Sequence, residues 1–223
     1  MRVHTVKMGM ANAYLLESPD GLVLVDSGSP GQESALYELM GRIGRTDLAL
    51  IVITHAHFDH YGSAAAIRKQ TGAPITIGAG DALAMSEGRT ELKHAQGRGI
   101  VGKWLLPLAE RLLEPAPTPP DFVVHDGDRM TWAGMDLEAM HTPGHTTGSI
   151  SLFAEGSHVF VGDLLSTTLT PHVQRLYASD WNQILPSLQR IQRHAPEVLY
   201  PGHGRRHLVA SRFASLLQQE GGI

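Results

Sequence analysis

The pattern of apolar and polar positions divides the chain into two matching halves, each a series of short strands interleaved with helices. In the first half, residues 2–7, 12–17 and 22–26 read as strands, and 30–40 carries apolar positions at helical spacing. Residues 48–54 form the next strand, because Leu48-Ala49-Leu50-Ile51-Val52-Ile53 is continuously apolar and rich in β-branched residues, as expected of a strand covered on both faces. An alanine-rich helix over 62–70 and a short strand at 74–77 complete this half. In the second half, 122–125, 130–132, 135–140, 149–153 and 158–161 read as β. A helix follows over 180–193, then a strand at 198–200 and a closing helix over 206–219. Pro186 falls inside the first of these helices and is expected to kink or interrupt it.

Residues 80–120 do not follow this rhythm. They open with Asp81-Ala82-Leu83-Ala84-Met85, turn polar over 91–98, become apolar at Trp104-Leu105-Leu106 and Leu112-Leu113, and end in Pro115, Pro117, Pro119 and Pro120. The proline-rich end predicts an extended connector returning to the sheet. The part before it predicts one or two helices inserted between the halves. Apolar surface on such an insertion marks an interaction. It is either a flap packed on the core or against a second copy in a homodimer, or a substrate lid with Trp104, Leu105 and Leu108 as its apolar wall.

Composition narrows the function. A chain of 223 residues is large enough to bury a core and is expected to form a single domain over 1–223. The net charge of −4, with 18% charged residues and no long basic run, leaves no electrostatic footprint for nucleic acid. No run of about 18 apolar residues occurs, so no membrane span is expected. Met1-Arg2-Val3-His4-Thr5-Val6 lacks the apolar core of a signal peptide, and a cytoplasmic location is expected. The chain has no cysteine, which removes disulfides, thiol catalysis and thiolate zinc sites. Any metal must be held by nitrogen and oxygen.

The candidate chemistry lies in Thr54-His55-Ala56-His57-Phe58-Asp59-His60, directly after the apolar strand. His55 and His57 are two apart, so on an extended segment they project to one side and can reach one ion. Asp59 and His60 follow where the chain must turn, and can swing toward a second ion beside the first. Downstream, His145 lies in His141-Thr142-Pro143-Gly144-His145-Thr146, Asp163 in Phe160-Val161-Gly162-Asp163 and His203 in Tyr200-Pro201-Gly202-His203-Gly204. Each follows a short β-like run and adjoins a glycine that lets backbone crowd a metal. Thr146, Thr147 and Ser149 are candidates to receive the spare N–H of a ligand imidazole.

Together with Asp26 in Val23-Leu24-Val25-Asp26-Ser27-Gly28, these residues resemble the metallo-β-lactamase superfamily, whose five motifs find matches in order from Asp26 to His203. The resemblance implies an α/β fold, a four-layer αβ/βα sandwich of two β-sheets flanked by helices, with metals at one edge of the paired sheets. It implies that His55, His57 and His145 hold a first metal, that Asp59, His60 and His203 hold a second, and that Asp163 bridges both. Asp26 would tie down the ligand loop without touching metal. The implied activity is that of a binuclear hydrolase, with two divalent ions, zinc first and iron or manganese as alternatives. A metal-bridging hydroxide would attack an ester-like bond while Asp59 passes a proton to the departing atom.

The bond is expected to be a lactone, a carboxylic ester or a thioester, in that order, in a small molecule. Phe58 within the ligand run resembles the acyl-homoserine lactone lactonases, while Thr142 to Thr146 resembles both lactonases and glyoxalase II. Those lactonases carry a tyrosine three residues after the bridging aspartate, where this chain has Ser166, and Tyr177 or Tyr61 would have to take its place. Phe58, Ser166, His172 and Tyr177 complete the candidate pocket. Glyoxalase II adds a helical C-terminal domain, whereas 20 residues follow His203 here. An alternative of the same fold is a mononuclear iron persulfide dioxygenase, since imidazole suits zinc and iron alike.

Overall fold

Alternation along the central strands decides how the layers stack. The computed structural model describes residues 1–90 and 114–221. One sheet runs, in order, β1 (Arg2–Met8), β2 (Ala11–Ser18), β3 (Gly21–Val25), β4 (Leu48–Ile53), β5 (Ile75–Gly78) and β6 (Phe122–Val124), antiparallel up to β3 and parallel beyond it. In β3, Leu22 and Leu24 point to one face, and Val23 and Val25 to the other. In β4, Ile51 and Ile53 share the first face, and Leu50 and Val52 the second. The first face is covered by α1 (Glu33–Ile43), α3 (Ala64–Thr71) and α4 (Ala82–Ser86), through Leu36, Met40, Ile67 and Met85. Both faces are therefore dry, which is why the strands read as unbroken apolar runs.

The second sheet supplies the other inner face. It comprises β7 (Arg129–Trp132), β8 (Met135–His141), β9 (Ile150–Ala154) and β10 (His158–Thr167), all antiparallel, with β12 (Val198–Gly204) parallel to β10 and β13 (Leu208–Val209) beyond it. A two-residue strand, β11 (His172–Val173), also pairs with β10. Leu137, Ala139, Ile150, Leu152 and Phe160 meet Val23, Val25, Leu50 and Val52 between the sheets. On the outer side, α5 (Trp181–Arg193) and α6 (Ala210–Gly221) bury Ile184, Leu188, Ile191, Phe213 and Leu217 against Phe153, Val159 and Val161. The result is the four-layer sandwich of two sheets flanked by helices.

Several elements depart from the pattern expected of them. The helix expected over 62–70 is present as α3, and an additional single turn, α2 (Phe58–Tyr61), precedes it, so Asp59 and His60 sit on a helical turn. Asp163 lies inside β10 and His203 inside β12, where each was expected to follow its strand. The reason is a pair of register shifts at Gly162, whose φ of +51° bends β10 without ending it, so pairing resumes at Ser166↔His203 and Thr167↔Gly204. Of the kink or interruption expected at Pro186, no interruption occurs. The proline lies in the second turn of α5 and gives up one backbone bond, while the buried Ile184, Leu188 and Ile191 hold the helix on its sheet. In the insertion, α4 and an extended stretch from 114 to 120 are seen, whereas Trp104, Leu105 and Leu108 lie outside the described residues. Among the described residues, no helix is long and apolar enough to cross a membrane.

The inner face is pinned by three aromatic rings, with Phe160 stacked on Tyr200 at 4.7 Å and tilted on Tyr14 at 5.3 Å. Phe160 is fully buried, so Phe160→Ala is expected to cost about 3–5 kcal/mol of unfolding free energy. Urea denaturation measures this directly, and a loss below about 1 kcal/mol would show that the sheets are held elsewhere.

Candidate metal centre

The strand β4 ends at Ile53, and the next residues carry the first ligands into the seam between the sheets. His55, His57 and His145 are buried and their rings lie 4.7 Å apart, centroid to centroid, for each pair. His57 Nδ1 approaches His145 Nε2 at 3.0 Å. One ligand atom from each of the three falls within 4.8 Å of the other two, a spacing that fits a single ion. Asp59, His60 and His203 form a second such grouping, and His60 and Asp163 join His55 in a third. Asp163 stands between them. Its Oδ1 faces His60 Nε2 at 3.3 Å, and its Oδ2 faces His203 Nε2 at 3.0 Å and His145 Nε2 at 3.5 Å. His203 Nε2 is also 3.4 Å from Asp59 Oδ2.

The donors fit a metal because several have nothing else to bind. His55 Nε2, His57 Nε2, His60 Nε2, His145 Nδ1 and Asp163 Oδ1 are buried without a hydrogen-bond partner among the described residues. Orphaned buried polar atoms are rare and costly, and five in one place call for a common partner. Imidazole nitrogen and carboxylate oxygen suit zinc, and also iron or manganese.

Charge divides the imidazoles into two sets. Burial holds His55, His57 and His145 below the ordinary histidine range, so these stay neutral. Burial opposes protonation of His60 too, but the fields of Asp163, Asp26 and Asp59 outweigh it and hold that group well above its usual value. Asp163 raises His203 in the same way against its burial. The converse holds for Asp163, where burial is outweighed by His203 and His60 and the carboxyl stays well below the usual range.

Behind the ligands stands a layer of hydrogen bonds. Asp26, at φ +58°, accepts from His60 Nδ1 at 2.8 Å, Thr54 N at 2.8 Å and Thr54 Oγ1 at 2.9 Å. Thr54 Oγ1 in turn receives His55 Nδ1 at 3.0 Å, and the Met10 carbonyl receives His203 Nδ1 at 3.1 Å. Tyr14 Oη donates to the Pro201 carbonyl at 2.6 Å and Asn12 Nδ2 to the Gly204 carbonyl at 3.0 Å, fixing the loop around His203. Two glycines leave room for these contacts. A Cβ on Gly202 would collide with Asp163 Oδ1 and lie 2.6 Å from His60 Cε1, and one on Gly162 would lie 2.7 Å from Thr54 Oγ1.

Asp81 was not anticipated from the sequence. It is buried and accepts from Ala56 N at 2.8 Å, Thr146 Oγ1 at 2.7 Å and Gly148 N at 2.9 Å. Ala56 lies between His55 and His57, and Thr146 and Gly148 lie just past His145, so one carboxylate joins the two loops that carry the first ligand grouping. Thr146 therefore bonds a carboxylate, and its Oγ1 also meets Ser149 Oγ at 2.6 Å. The hydroxyl that meets an imidazole is that of Thr54. The signal for Asp81 was present in Gly80-Asp81 after β5, which repeats Gly162-Asp163.

The other expected residues scatter. Ser166 is buried opposite His203 in the register of β10 and β12, and its Oγ accepts from Thr168 N. His172, on β11, holds the Thr170 carbonyl at 2.8 Å. Phe58 is half-buried, with its backbone N bonded to Thr90 Oγ1. Tyr177 lies at φ +62° ahead of α5, outside the ligand groupings. Tyr61 is fully buried and its hydroxyl donates to the Arg89 carbonyl, so it is committed to the core.

The family model described as metallo-beta-lactamase superfamily matches residues 6–203. A probable metallo-hydrolase of Methanocaldococcus jannaschii is 31% identical over 201 residues, 87% of each chain. A hydroxyacylglutathione hydrolase of Aeromonas hydrophila is 28% identical over 180 residues, 80% of this chain and 54% of that enzyme, so this chain spans about half its length. The crystal structure of BLEG-1 B3 metallo-beta-lactamase superposes with a TM-score of 0.76 at 24% identity, covering 96% of this chain and 97% of that one.

Two outcomes are expected of this arrangement. In Asp81→Asn, the amide must turn an N–H toward a backbone N–H, so the loops of His57 and His145 loosen and metal affinity falls about 10–100-fold in chelator competition. Unaltered affinity would separate Asp81 from the ligands. Metal loading should also release protons from His60 and His203, whose values are raised above the ordinary histidine range. Calorimetry in buffers of different ionisation enthalpy reads the protons released, and the share from these two imidazoles should fall as pH rises through their raised values.

Proposed function

The chain belongs to the metallo-beta-lactamase superfamily, and from that premise we propose that it is a binuclear metal-dependent hydrolase that cleaves a lactone, carboxylic ester or thioester in a small molecule. The observation that carries this reading is Asp163, whose two oxygens face ligands of both groupings, His145 on one side and His60 and His203 on the other. His55, His57 and His145 would hold one ion, and Asp59, His60 and His203 the other, with zinc the ion we favour. Bound there, divalent ions supply Lewis acidity and lower the pKa of a coordinated water from about 15.7 toward about 7.

The chain's own residues do the rest. Asp26 and Thr54 fix the ring planes of His60 and His55, and the Met10 carbonyl fixes that of His203, so the nitrogens converge without reorganisation. Asp59, buried and 3.4 Å from His203 Nε2, would take a proton at Oδ2 and return it to the departing oxygen or sulfur. The protein offers no Gly-x-Ser-x-Gly nucleophile, so attack by water agrees with the residues present. The hydroxyacylglutathione hydrolase among the relatives supports transfer of an acyl group to water. The β-lactamase likeness, at 24% identity, speaks for the fold alone.

Metal removal by a chelator should abolish hydrolysis across a panel of lactones, esters and thioesters, and zinc should restore it, with about two ions bound per chain. Asp163→Asn should lower kcat by several orders of magnitude and weaken retention of the second ion. One iron per chain, together with oxygen uptake on a persulfide, would overturn this reading in favour of the dioxygenase.

A further inference from the structure

His203 is the one candidate ligand that burial does not hold. The other six are buried, whereas 18% of the His203 side chain is exposed. Both of its neighbours are glycine, Gly204 at φ +107°, so no adjoining side chain restrains the backbone that carries the ring. The direction of Nε2 must be set from outside β12.

The restraint comes from β2, in the opposite sheet. Asn12 and Tyr14 are two apart on that strand, so they project to one face, and both are buried. Tyr14 Oη donates to the Pro201 carbonyl at 2.6 Å, while Asn12 Nδ2 lies 3.4 Å from the same oxygen and donates to the Gly204 carbonyl at 3.0 Å. These two carbonyls bracket His203. The turn that leads into β2 supplies the third hold, since the Met10 carbonyl receives His203 Nδ1 at 3.1 Å and the Met10 N–H is itself bonded to Ser29 Oγ at 3.2 Å. One hairpin therefore grips both the ring and its backbone. Of the grouping Asp59, His60 and His203, the first two ride on α2 in the first half, and His203 alone comes from the second sheet. The bonds from Asn12 and Tyr14 join the two frames, as Asp81 does for the grouping around His57.

We propose that Asn12 and Tyr14 are positioning residues for the ion held by Asp59, His60 and His203, and that they set its affinity separately from that of the ion held by His55, His57 and His145. This rests on the binuclear reading given above. Partners behind a ligating imidazole govern how well it binds, and here those partners reach one grouping only.

Two substitutions separate positioning from packing. Tyr14→Phe keeps the ring that meets Phe160 at 5.3 Å and Tyr200 at 5.2 Å and removes only the hydroxyl, and Asn12→Leu keeps the bulk and removes the donor. Tyr200→Phe is the control, because it deletes a hydroxyl from the same aromatic cluster that faces His158 at 3.0 Å and not the His203 loop. Cobalt titrated into the metal-free full chain gives a visible spectrum that reports ligand geometry, and chelator competition gives the affinity of each equivalent. In Tyr14→Phe and Asn12→Leu, one equivalent should bind about 10–100-fold more weakly with altered bands, while the other keeps its wild-type affinity. His203→Ala should remove that same equivalent, which identifies it, and Tyr200→Phe should change neither. Two ions in the wild type with both affinities and spectra unchanged in Tyr14→Phe would overturn the proposal alone, as would equal weakening of both equivalents. A wild-type chain that takes up a single ion overturns the binuclear reading and the proposal with it.

Discussion

Everything at the seam of the two sheets depends on keeping a dense set of ionisable groups in balance where water does not reach. His55, His57, His60, His145, Asp59 and Asp163 are all buried, and Asp26 and Asp81 are buried behind them. An isolated charge in such a place costs far more than the fold's net stability. Balance is reached in two ways at once. The imidazoles around His57 are kept neutral by burial, while His60 and His203 share charge with Asp163. A site arranged in this manner is stable enough to form and still leaves nitrogen and oxygen without partners.

That balance also explains the local chain geometry. Gly162 and Gly202 are needed because the polar groups must approach backbone closely, and any Cβ would occupy the place of a ligand or its support. Positive φ at Gly162 bends β10 inside its pairing with β12, which turns Asp163 toward both groupings while the strand continues. Asp26 takes the left-handed region at the end of β3, an uncommon conformation for a side-chain-bearing residue, and in it reaches both Thr54 and His60.

The sheets were legible because burial on two faces leaves runs of Leu, Ile and Val that have one reading, as in β4. The ligands were legible because imidazole and carboxylate recur after those runs. What escaped was whatever depends on pairing between distant segments. The continuation of β10 and β12 beyond the glycines is fixed by their mutual register, and neither segment alone shows it. Asp81 repeats the Gly-Asp pair of Gly162-Asp163, but the loops it joins lie 25 and 65 residues away, so the sequence does not show what it holds together. Pro186 does not interrupt α5, because one lost backbone bond is outweighed by the apolar face that the helix buries.

The bonds of Asp81 also bear on the order in which the protein assembles. His55, His57, Asp59 and His60 come from the first half, while His145, Asp163 and His203 come from the second, and none of the three groupings is complete within one half. As the chain emerges from synthesis, the first half therefore presents an open set of nitrogens that can hold an ion only weakly. A complete grouping would need the second sheet docked, with Thr146 and Gly148 closed on Asp81. Ion retention would thus require both halves to be docked, because a grouping drawn from either half alone lacks a donor.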